Sequence, residues 1–389
     1  VRALCVAALL SACAEESEKS EIPATTDAQP EEASYASGRG SVQAPQLRFT
    51  DITELSGIDF SHENGAVGDK WMPETMGSGC ALFDYDEDGD LDALLVNGQR
   101  WDGKGDTRTR LYENGGKADF TDVTERVGLD VNVYGMGANV ADYDADGDLD
   151  VYVTALGPNV LLRNDAGRFV DVAKQAGVSG ERWLDDQGRS NDEWSTSAVW
   201  FDVDGDGWLD LLVTNYIRWS IETDIYTSLD GNNKSYATPQ QYPGSTPRLY
   251  RNQGDGTFVE ITEEAGLLLP AGKSMGVAMT DFEGNGLIDI VVTNDTQPNF
   301  LLQNLGRFAE RGLMAGIGYD DTGRARAGMG VDIASVENDG VQSIAIGNFS
   351  REALSLYRQT GEVFVDAAGK AKLVQSPLPT LTFGLRFLD

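Results

Sequence analysis

"FDYDEDGDLDALLVN", residues 83–97, places six acidic side chains within a short span and then continues directly into an apolar segment. Two carboxylates about 4 Å apart repel each other by roughly 4 kcal/mol at an effective dielectric constant near 20. A bound cation would remove this repulsion, and a solvated turn would relieve it only by spreading the carboxylates apart. The stretch is therefore a candidate metal-binding loop that leads into a β-strand.

The acidic stretch is one copy of an internal repeat, and the copies begin 58, 60, 79 and 54 residues apart. The last copy is degraded, because serine replaces aspartate at its first and ninth loop positions. The further copies are "ADYDADGDLDVYVTA" (141–155), "FDVDGDGWLDLLVTN" (201–215), "TDFEGNGLIDIVVTN" (280–294) and the degraded "ASVENDGVQSIAIGN" (334–348).

A second signature follows each acidic loop, as in "RLYRNQGDGTF" (248–258), where an apolar strand ending in Asn leads through a glycine turn to a Phe-bearing strand. Each unit of about 55 residues thus contains four strands. Four-stranded units with glycine turns at this period predict an all-β chain folded as a β-propeller, with about five complete blades present. A β-solenoid is the alternative, but its repeats are normally much shorter.

Oxygen-bearing side chains occupy positions 1, 3, 5 and 9 of the four intact loops, and glycine always occupies position 6. Position 7 varies freely, as expected where a backbone carbonyl binds the ion. The candidate side-chain ligands are Asp84, Asp86, Asp88 and Asp92; Asp142, Asp144, Asp146 and Asp150; Asp202, Asp204, Asp206 and Asp210; and Asp281, Glu283, Asn285 and Asp289. The residues predicted to contribute only a carbonyl are Asp90, Asp148, Trp208 and Leu287.

These all-oxygen ligand sets predict about four structural Ca²⁺ sites, since calcium accepts many protein oxygens in a flexible loop. An EF-hand is excluded, because position 12 holds an apolar residue such as Leu95 or Val153 where that loop requires glutamate. The fifth loop, Ser335 to Ser343, has lost most of its charge. We expect no tight calcium binding there.

The N-terminus begins with Arg2 and a short apolar run and reaches "LSAC" at Cys13. This order is typical of an export signal, and the last four residues resemble the lipobox of bacterial lipoproteins. We therefore predict a signal peptide over residues 1–13 with lipidation at Cys13, an acidic disordered tether over 14–45, and a propeller over 46–389. An exported protein of the cell envelope, held by a lipid anchor only, or else a secreted protein, is expected.

The chain of 389 residues has a net charge of -33, which argues against nucleic-acid binding because phosphate contacts require Lys and Arg. His62 is the only histidine, and the chain contains no nucleophile elbow, phosphate-binding loop or zinc cluster of Cys and His. The residues thus favour a non-catalytic propeller that binds a protein or glycan. The alternative is a polysaccharide-acting enzyme with His62 as an acid or base.

These repeats resemble the FG-GAP/VCBS repeat proteins, and more narrowly the cartilage acidic protein (ASPIC/UnbV-associated) family. The resemblance is carried by "FTDITELSGIDFSHENGAVGDKWMPETMGSGCALFDYDEDGDLD" (49–92) and "LYRNQGDGTFVEITEEAGL" (249–267). It implies a seven-bladed, calcium-stabilised propeller at the cell surface with a role in adhesion or protein interaction, usually followed by a small C-terminal domain. Since "LTFGLRFLD" (381–389) copies only the start of a blade, we expect the chain to be truncated at its C-terminus.

Two further expectations concern segments outside the repeat pattern. The insert of residues 216–252 is the longest departure from the repeat and is a candidate partner-binding surface, although a decorative loop explains it equally well. Cys80, inside the first predicted strand, is expected to be a small core residue.

Overall fold

The computed structural model describes residues 50–269, 272–374 and 381–387. The predicted signal peptide (1–13) with Cys13 and the tether (14–45) lie outside the described residues. Residues 52–389 form one compact unit, and every helix and strand described here belongs to it. No helix among the described residues is long and apolar enough to cross a membrane.

Five four-stranded antiparallel sheets, each paired in sequence order, make up the described part of this unit. This arrangement confirms the prediction of an all-β propeller with about five complete blades. The first two blades contain β1 (Cys80–Phe83), β2 (Asp92–Leu95), β3 (Arg110–Asn114) and β4 (Phe120–Asp122), then β5 (Tyr134–Ala141), β6 (Asp150–Leu156), β7 (Val160–Asn164) and β8 (Phe169–Asp171). A separate hairpin of β9 (Arg182–Leu184) and β10 (Ser190–Asp192) follows them.

The remaining blades follow the same plan, and the helical elements are all short. The strands are β11 (Ser195–Phe201), β12 (Asp210–Asn215), β13 (Arg248–Asn252) and β14 (Phe258–Glu260); β15 (Ser274–Thr280), β16 (Asp289–Asn294), β17 (Phe300–Asn304) and β18 (Phe308–Glu310); and β19 (Gly328–Ala334), β20 (Ser343–Asn348), β21 (Ser355–Thr360) and β22 (Val363–Asp366). The α-helices are α1 (Thr53–Ser56) and α2 (Ala173–Ala176), and the 3₁₀ turns are Met72–Thr75, Ile221–Thr223 and Pro239–Gln241.

The second strand of each blade is apolar at consecutive positions because each of its two faces packs against a different neighbouring blade. In β12, Leu211 and Val213 pack with residues of the second blade, whereas Leu212 packs with residues of the fourth. Side chains alternate between the faces of a strand, so a strand buried on both faces shows a continuous apolar run. The cores therefore lie between blades, where each blade stabilises the next.

The first strands of successive blades lie side by side, and glycines permit the approach. A Cβ atom placed on Gly276 would lie 2.5 Å from the carbonyl oxygen of Met329 in the next blade, and one on Gly79 would lie 3.3 Å from that of Met136. The Thr293 hydroxyl also donates a hydrogen bond to the Met329 carbonyl. Glycine at these positions thus allows the backbones of adjacent blades to touch.

These inner strands surround a largely apolar cavity of about 450 Å³, which corrects one sequence expectation. Cys80 is exposed and lines this cavity, so it is not a core residue. Along β1, the side chains of Cys80 and Leu82 are exposed, whereas that of Phe83 is buried in the core. Segment 381–387, predicted to copy a blade-opening strand, lies against β19, where the Phe387 amide donates to Asp332 at 2.6 Å.

The insert between β12 and β13 is held by aromatic packing. Tyr216, Trp219 and Tyr242 are each buried and share one core cluster with Trp194. The Tyr216 hydroxyl also donates a 2.5 Å hydrogen bond to Asp295 of the fourth blade. The insert is therefore attached to the blades through its side chains rather than left as a free loop.

Candidate metal centres

The first aspartate of each intact loop organises the turn. In the first loop, Asp84 accepts hydrogen bonds from the amides of Asp88 at 3.1 Å and Gly89 at 2.9 Å. Asp142, Asp202 and Asp281 accept the corresponding two amides in their own loops. Gly89 has φ +92°, a conformation that glycine adopts readily, which explains why position 6 is always glycine.

The aspartate at position 9 has a structural role that the sequence did not reveal. Asp92 is fully buried and accepts the amide of Tyr85 at 3.1 Å and that of Asn114 at 2.8 Å, one on each oxygen. Asp150, Asp210 and Asp289 repeat this pair of bonds. Each carboxylate oxygen keeps a lone pair for a cation, so position 9 ties the loop to the third strand and remains available as a ligand.

The structure brings carboxylates together in three of the four predicted loops. The grouped carboxylates, with one oxygen of each within 4.8 Å of the others, are Asp84, Asp86 and Asp92; Asp142, Asp144 and Asp146; and Asp202, Asp204 and Asp206. Asp88, Asp150 and Asp210 lie outside these groups. In the fourth loop, the Asn285 amide instead donates to Glu283 at 3.0 Å. The carboxylates of Asp90 and Asp148 also lie outside these groups.

Three of the nine grouped carboxylates, those of Asp86, Asp92 and Asp144, are destabilised as anions. Burial, followed by the charges of Asp88 and Glu113, raises the pKa of Asp86 above its usual range. Burial together with Asp146 and Asp142 does the same to Asp144. Raised pKa values show that negative charge is poorly compensated by the protein alone, which is the electrostatic environment that a divalent cation would relieve. All donors are oxygens, so the residues fit Ca²⁺.

The position-9 carboxylates predict a pH dependence for the chelated protein. Burial raises the pKa of Asp150 to about 7 and that of Asp210 to about 6, against an unfolded value of 3.8. Between these values the folded state binds more protons than the unfolded state, so its stability falls as pH rises. In chelator, we expect the melting temperature to drop by roughly 5 °C from pH 5 to pH 8.

Scanning calorimetry or fluorimetry across this pH range measures the effect. Saturating Ca²⁺ should flatten the profile, because the cation replaces the proton as the partner of the carboxylates. Asp150→Asn should also make the chelated protein less sensitive to pH. A melting temperature that rises with pH in chelator would contradict the linkage.

An arginine side chain from a neighbouring strand pairs with the acids of the fifth loop. Arg358 of β21 lies 2.6 Å from Asp339 and 3.3 Å from Glu337, the two acids at positions 5 and 3. An amide hydrogen bond from Val341 and the Arg358 guanidinium together lower the pKa of Asp339, whereas the pKa values of Asp86 and Asp144 in the intact loops are raised. The Ser335 hydroxyl still accepts the Gly340 amide at 2.9 Å, so the turn persists without the aspartate.

Restoring the lost carboxylates while removing this guanidinium is expected to create a metal site. The triple variant Ser335→Asp, Ser343→Asp, Arg358→Gln should bind one more Ca²⁺ per chain than the parent, as counted by isothermal titration calorimetry. Ser335→Asp alone should leave the number unchanged, because Arg358 still neutralises the loop. An unchanged number in the folded triple variant would disprove this explanation.

Asparagines connect the loops of successive blades. The Asn164 amide of the second blade donates to the Tyr85 carbonyl in the first loop at 2.9 Å. Asn252 of the third blade donates to the Tyr143 carbonyl in the second loop, also at 2.9 Å. Each buried amide would lose one of its two carbonyl acceptors if the loop of the preceding blade moved. The geometry of a loop is thus coupled to the blade that follows it.

His62 is placed as a hydrogen-bond donor. The Ser78 hydroxyl donates to the Gly135 carbonyl at 2.7 Å, so its proton is already engaged. The His62 Nε2 atom, 3.0 Å from the Ser78 oxygen, must then be the donor of that contact. Desolvation lowers the pKa of His62, and Glu63 partly opposes this shift. The arrangement differs from a nucleophile–base pair, in which the hydroxyl donates to the imidazole.

The model of the FG-GAP-like repeat matches residues 84–153, 145–213 and 224–292, which together are just over half of the chain. This chain belongs to the FG-GAP-like repeat family. All three matches contain the acidic loops described above, and blades of this kind form β-propellers. The FG-GAP-like chain is also similar to Cartilage acidic protein 1 of Xenopus tropicalis, with 26% identity over 190 residues, 47% of this chain and 24% of that protein.

The match thus spans about a quarter of that relative. Among solved structures, an Agrocybe aegerita lectin that recognises non-reducing terminal N-acetylglucosamine is similar at 16% identity and a TM-score of 0.39, covering 74% of this chain and 64% of the lectin. A Bacillus licheniformis rhamnogalacturonan lyase is similar at 14% identity and a TM-score of 0.38, covering 75% of this chain and 50% of the lyase.

Proposed function

We propose that this FG-GAP-like propeller is a calcium-stabilised, non-catalytic binding protein of the bacterial cell envelope, serving adhesion or the binding of a protein or glycan. The proposal rests on one observation. In four successive blades the acidic loop has the same hydrogen-bonded geometry, in which the side chains at positions 1 and 9 hold an all-oxygen ligand set in place. Such a geometry stabilises a scaffold and leaves the rest of the surface free to bind.

The calcium is proposed to be structural rather than regulatory. The side-chain ligands would be those at positions 1, 3, 5 and 9 of the four intact loops, with a carbonyl from position 7. Extracellular calcium modules typically bind with dissociation constants of about 10⁻⁴–10⁻³ M, close to extracellular calcium concentrations. Because Asn164 and Asn252 link two of these loops to the next blade, an ion in one loop would stabilise the interface between blades.

The donor role of His62 supports the non-catalytic proposal over a polysaccharide-acting enzyme. Its Nε2 proton is directed at Ser78, whose own proton lies on the Gly135 carbonyl. The Nε2 atom therefore does not accept the Ser78 proton, so the two groups do not form a nucleophile–base pair. The exported location and the lipid anchor at Cys13 belong to this proposal as well, and loss of palmitate labelling in Cys13→Ala cells would test the anchor.

Two assays test the proposed function: one measures retention of the protein on envelope material, and the other measures turnover of polysaccharides. The protein is applied with Ca²⁺ to immobilised envelope material and then washed with chelator, and the same protein is incubated with a polysaccharide panel while reducing ends are measured. Calcium-dependent retention without turnover supports the proposal. Turnover that disappears in a His62→Ala variant of unchanged melting temperature would instead establish an enzyme.

A further inference from the structure

Hydrogen bonds run without interruption through the first three acidic loops, and two buried asparagines carry them from blade to blade. The asparagines are Asn164 and Asn252, which are 0% and 3% exposed and end the third strand of successive blades. From this hydrogen-bonded path we propose that the first, second and third loops bind calcium cooperatively, whereas the fourth loop binds it independently. The inference rests on the proposed calcium-stabilised function and adds a coupling between its sites.

In the first loop, the residue at position 2 is held at both ends of its backbone. The Tyr85 amide donates to Asp92 at 3.1 Å, and the Tyr85 carbonyl accepts the side-chain amide of Asn164 at 2.9 Å. Tyr85 lies between the candidate ligands Asp84 and Asp86, so these two bonds hold the backbone that carries both carboxylates. A side chain of the second blade therefore helps to set the shape of the first loop.

Asn164 also holds a candidate ligand of its own blade. Its backbone amide donates to one oxygen of Asp150 at 2.8 Å, and the other oxygen accepts the Tyr143 amide at 3.1 Å. Tyr143 is at position 2 of the second loop, and its carbonyl accepts the side-chain amide of Asn252 at 2.9 Å. Asn252 repeats the pattern by donating its backbone amide to Asp210 at 2.8 Å. The path thus extends from the first loop to the third.

Burial makes these links costly to break. The side-chain amide of Asn164 donates to the carbonyls of Tyr85 and Leu149, which belong to two neighbouring loops. The Asn252 amide joins the second and third loops in the same way. A loop that spreads under the repulsion of its carboxylates withdraws one acceptor and leaves a buried N–H group unsatisfied. The closed shape of one loop therefore favours the closed shape of the next, because both share one asparagine.

The path stops between the third and fourth loops. Asn304 ends the third strand of the fourth blade, is also buried, and donates its backbone amide to Asp289 at 2.7 Å. Its side-chain oxygen accepts the Gly306 amide at 3.0 Å, but within the described residues its side-chain amide donates to no group of the third loop. The fourth loop is linked instead to the fifth blade, where Gln359 donates to the Phe282 carbonyl at 2.7 Å. Since the fifth loop is degraded, the fourth has no intact neighbour to couple with.

Trp208 makes the third loop observable on its own, because it is at position 7 of that loop. The protein is stripped with chelator and titrated with Tb³⁺, a luminescent substitute for Ca²⁺ that is excited through tryptophan. The difference from Trp208→Phe identifies the signal that comes from the third loop. Isothermal titration with Ca²⁺ counts the sites in each variant.

Four variants separate coupling from general damage. Asp144→Asn removes a ligand of the second loop and should lower the Tb³⁺ affinity of the third loop by roughly fivefold. Glu283→Gln, the matched change in the fourth loop, should weaken binding in its own loop and alter the third by less than about twofold. Asn252→Ala keeps the backbone amide but should make the third loop insensitive to Asp144→Asn. Asn304→Ala removes the same side-chain amide one blade later and should leave that sensitivity intact.

Melting temperatures with Ca²⁺ and with chelator show which variants keep the fold. If Asn252→Ala does not fold, the comparison of Asp144→Asn with Glu283→Gln decides the question alone. Equal effects of these two changes on the third loop, in a protein that binds Tb³⁺ and keeps its calcium response, would overturn the coupling and leave the calcium-stabilised propeller standing. A fivefold effect of Asp144→Asn that persists beside Asn252→Ala would also overturn it. Absence of cation binding in every loop would overturn the coupling and the proposed function together.

Discussion

Removing calcium with a chelator is expected to lower the melting temperature by about 10 °C. A ligand at twenty times its dissociation constant stabilises a fold by roughly 1.8 kcal/mol per site, and four sites contribute several times that. For a domain of this size each kcal/mol corresponds to about 2 °C. The carboxylates also regain their repulsion, since the pKa values of Asp86 and Asp144 are already raised without an ion.

Differential scanning fluorimetry in 2 mM Ca²⁺, in excess chelator and after re-addition of Ca²⁺ measures this effect. Re-addition should restore the original value, and Mg²⁺ at the same concentration should restore much less, because it requires near-ideal octahedral geometry. Asp142→Asn provides the matched variant, with a smaller calcium-dependent shift than the parent. Equal melting temperatures with and without chelator would disprove a structural role for calcium.

Gly276→Ala is expected to destabilise the propeller by about 3 kcal/mol. The added methyl group would lie 2.5 Å from the Met329 carbonyl oxygen and 2.9 Å from the Thr293 hydroxyl. Met329 belongs to the backbone of the adjoining inner strand, so relief requires two blades to move apart. That separation would expose the apolar core between β16 and β20, including Val291 and Ile344.

Urea unfolding at saturating Ca²⁺ measures the change without altering the metal sites. Gly77→Ala is the control, because a Cβ atom there meets nothing within 4 Å, and we expect a change below about 0.5 kcal/mol. If Gly276→Ala is as stable as the parent, the close approach of the inner strands is not needed for packing.

The sequence by itself determined the fold and most of the candidate ligands. Loop spacing, the glycine at position 6 and the apolar second strands are local or periodic features, and each copy constrains the interpretation of the others. Asp84, Asp86 and Asp92 were therefore predicted together, and they do lie together. The same alignment identified the fifth loop as degraded, because Ser335 and Ser343 replace the aspartates at positions 1 and 9.

Tertiary structure decided what depends on contacts between distant segments. Arg358 lies outside the fifth loop in sequence, so its pairing with Asp339 could not be read from the loop pattern. Asn164 reaches the Tyr85 carbonyl across 79 residues, and Cys80 faces a cavity formed by several blades. The contact between Trp101 and Trp219 is likewise set by how two insertions pack, because a repeat specifies its own strands and leaves insertions to find their partners in three dimensions.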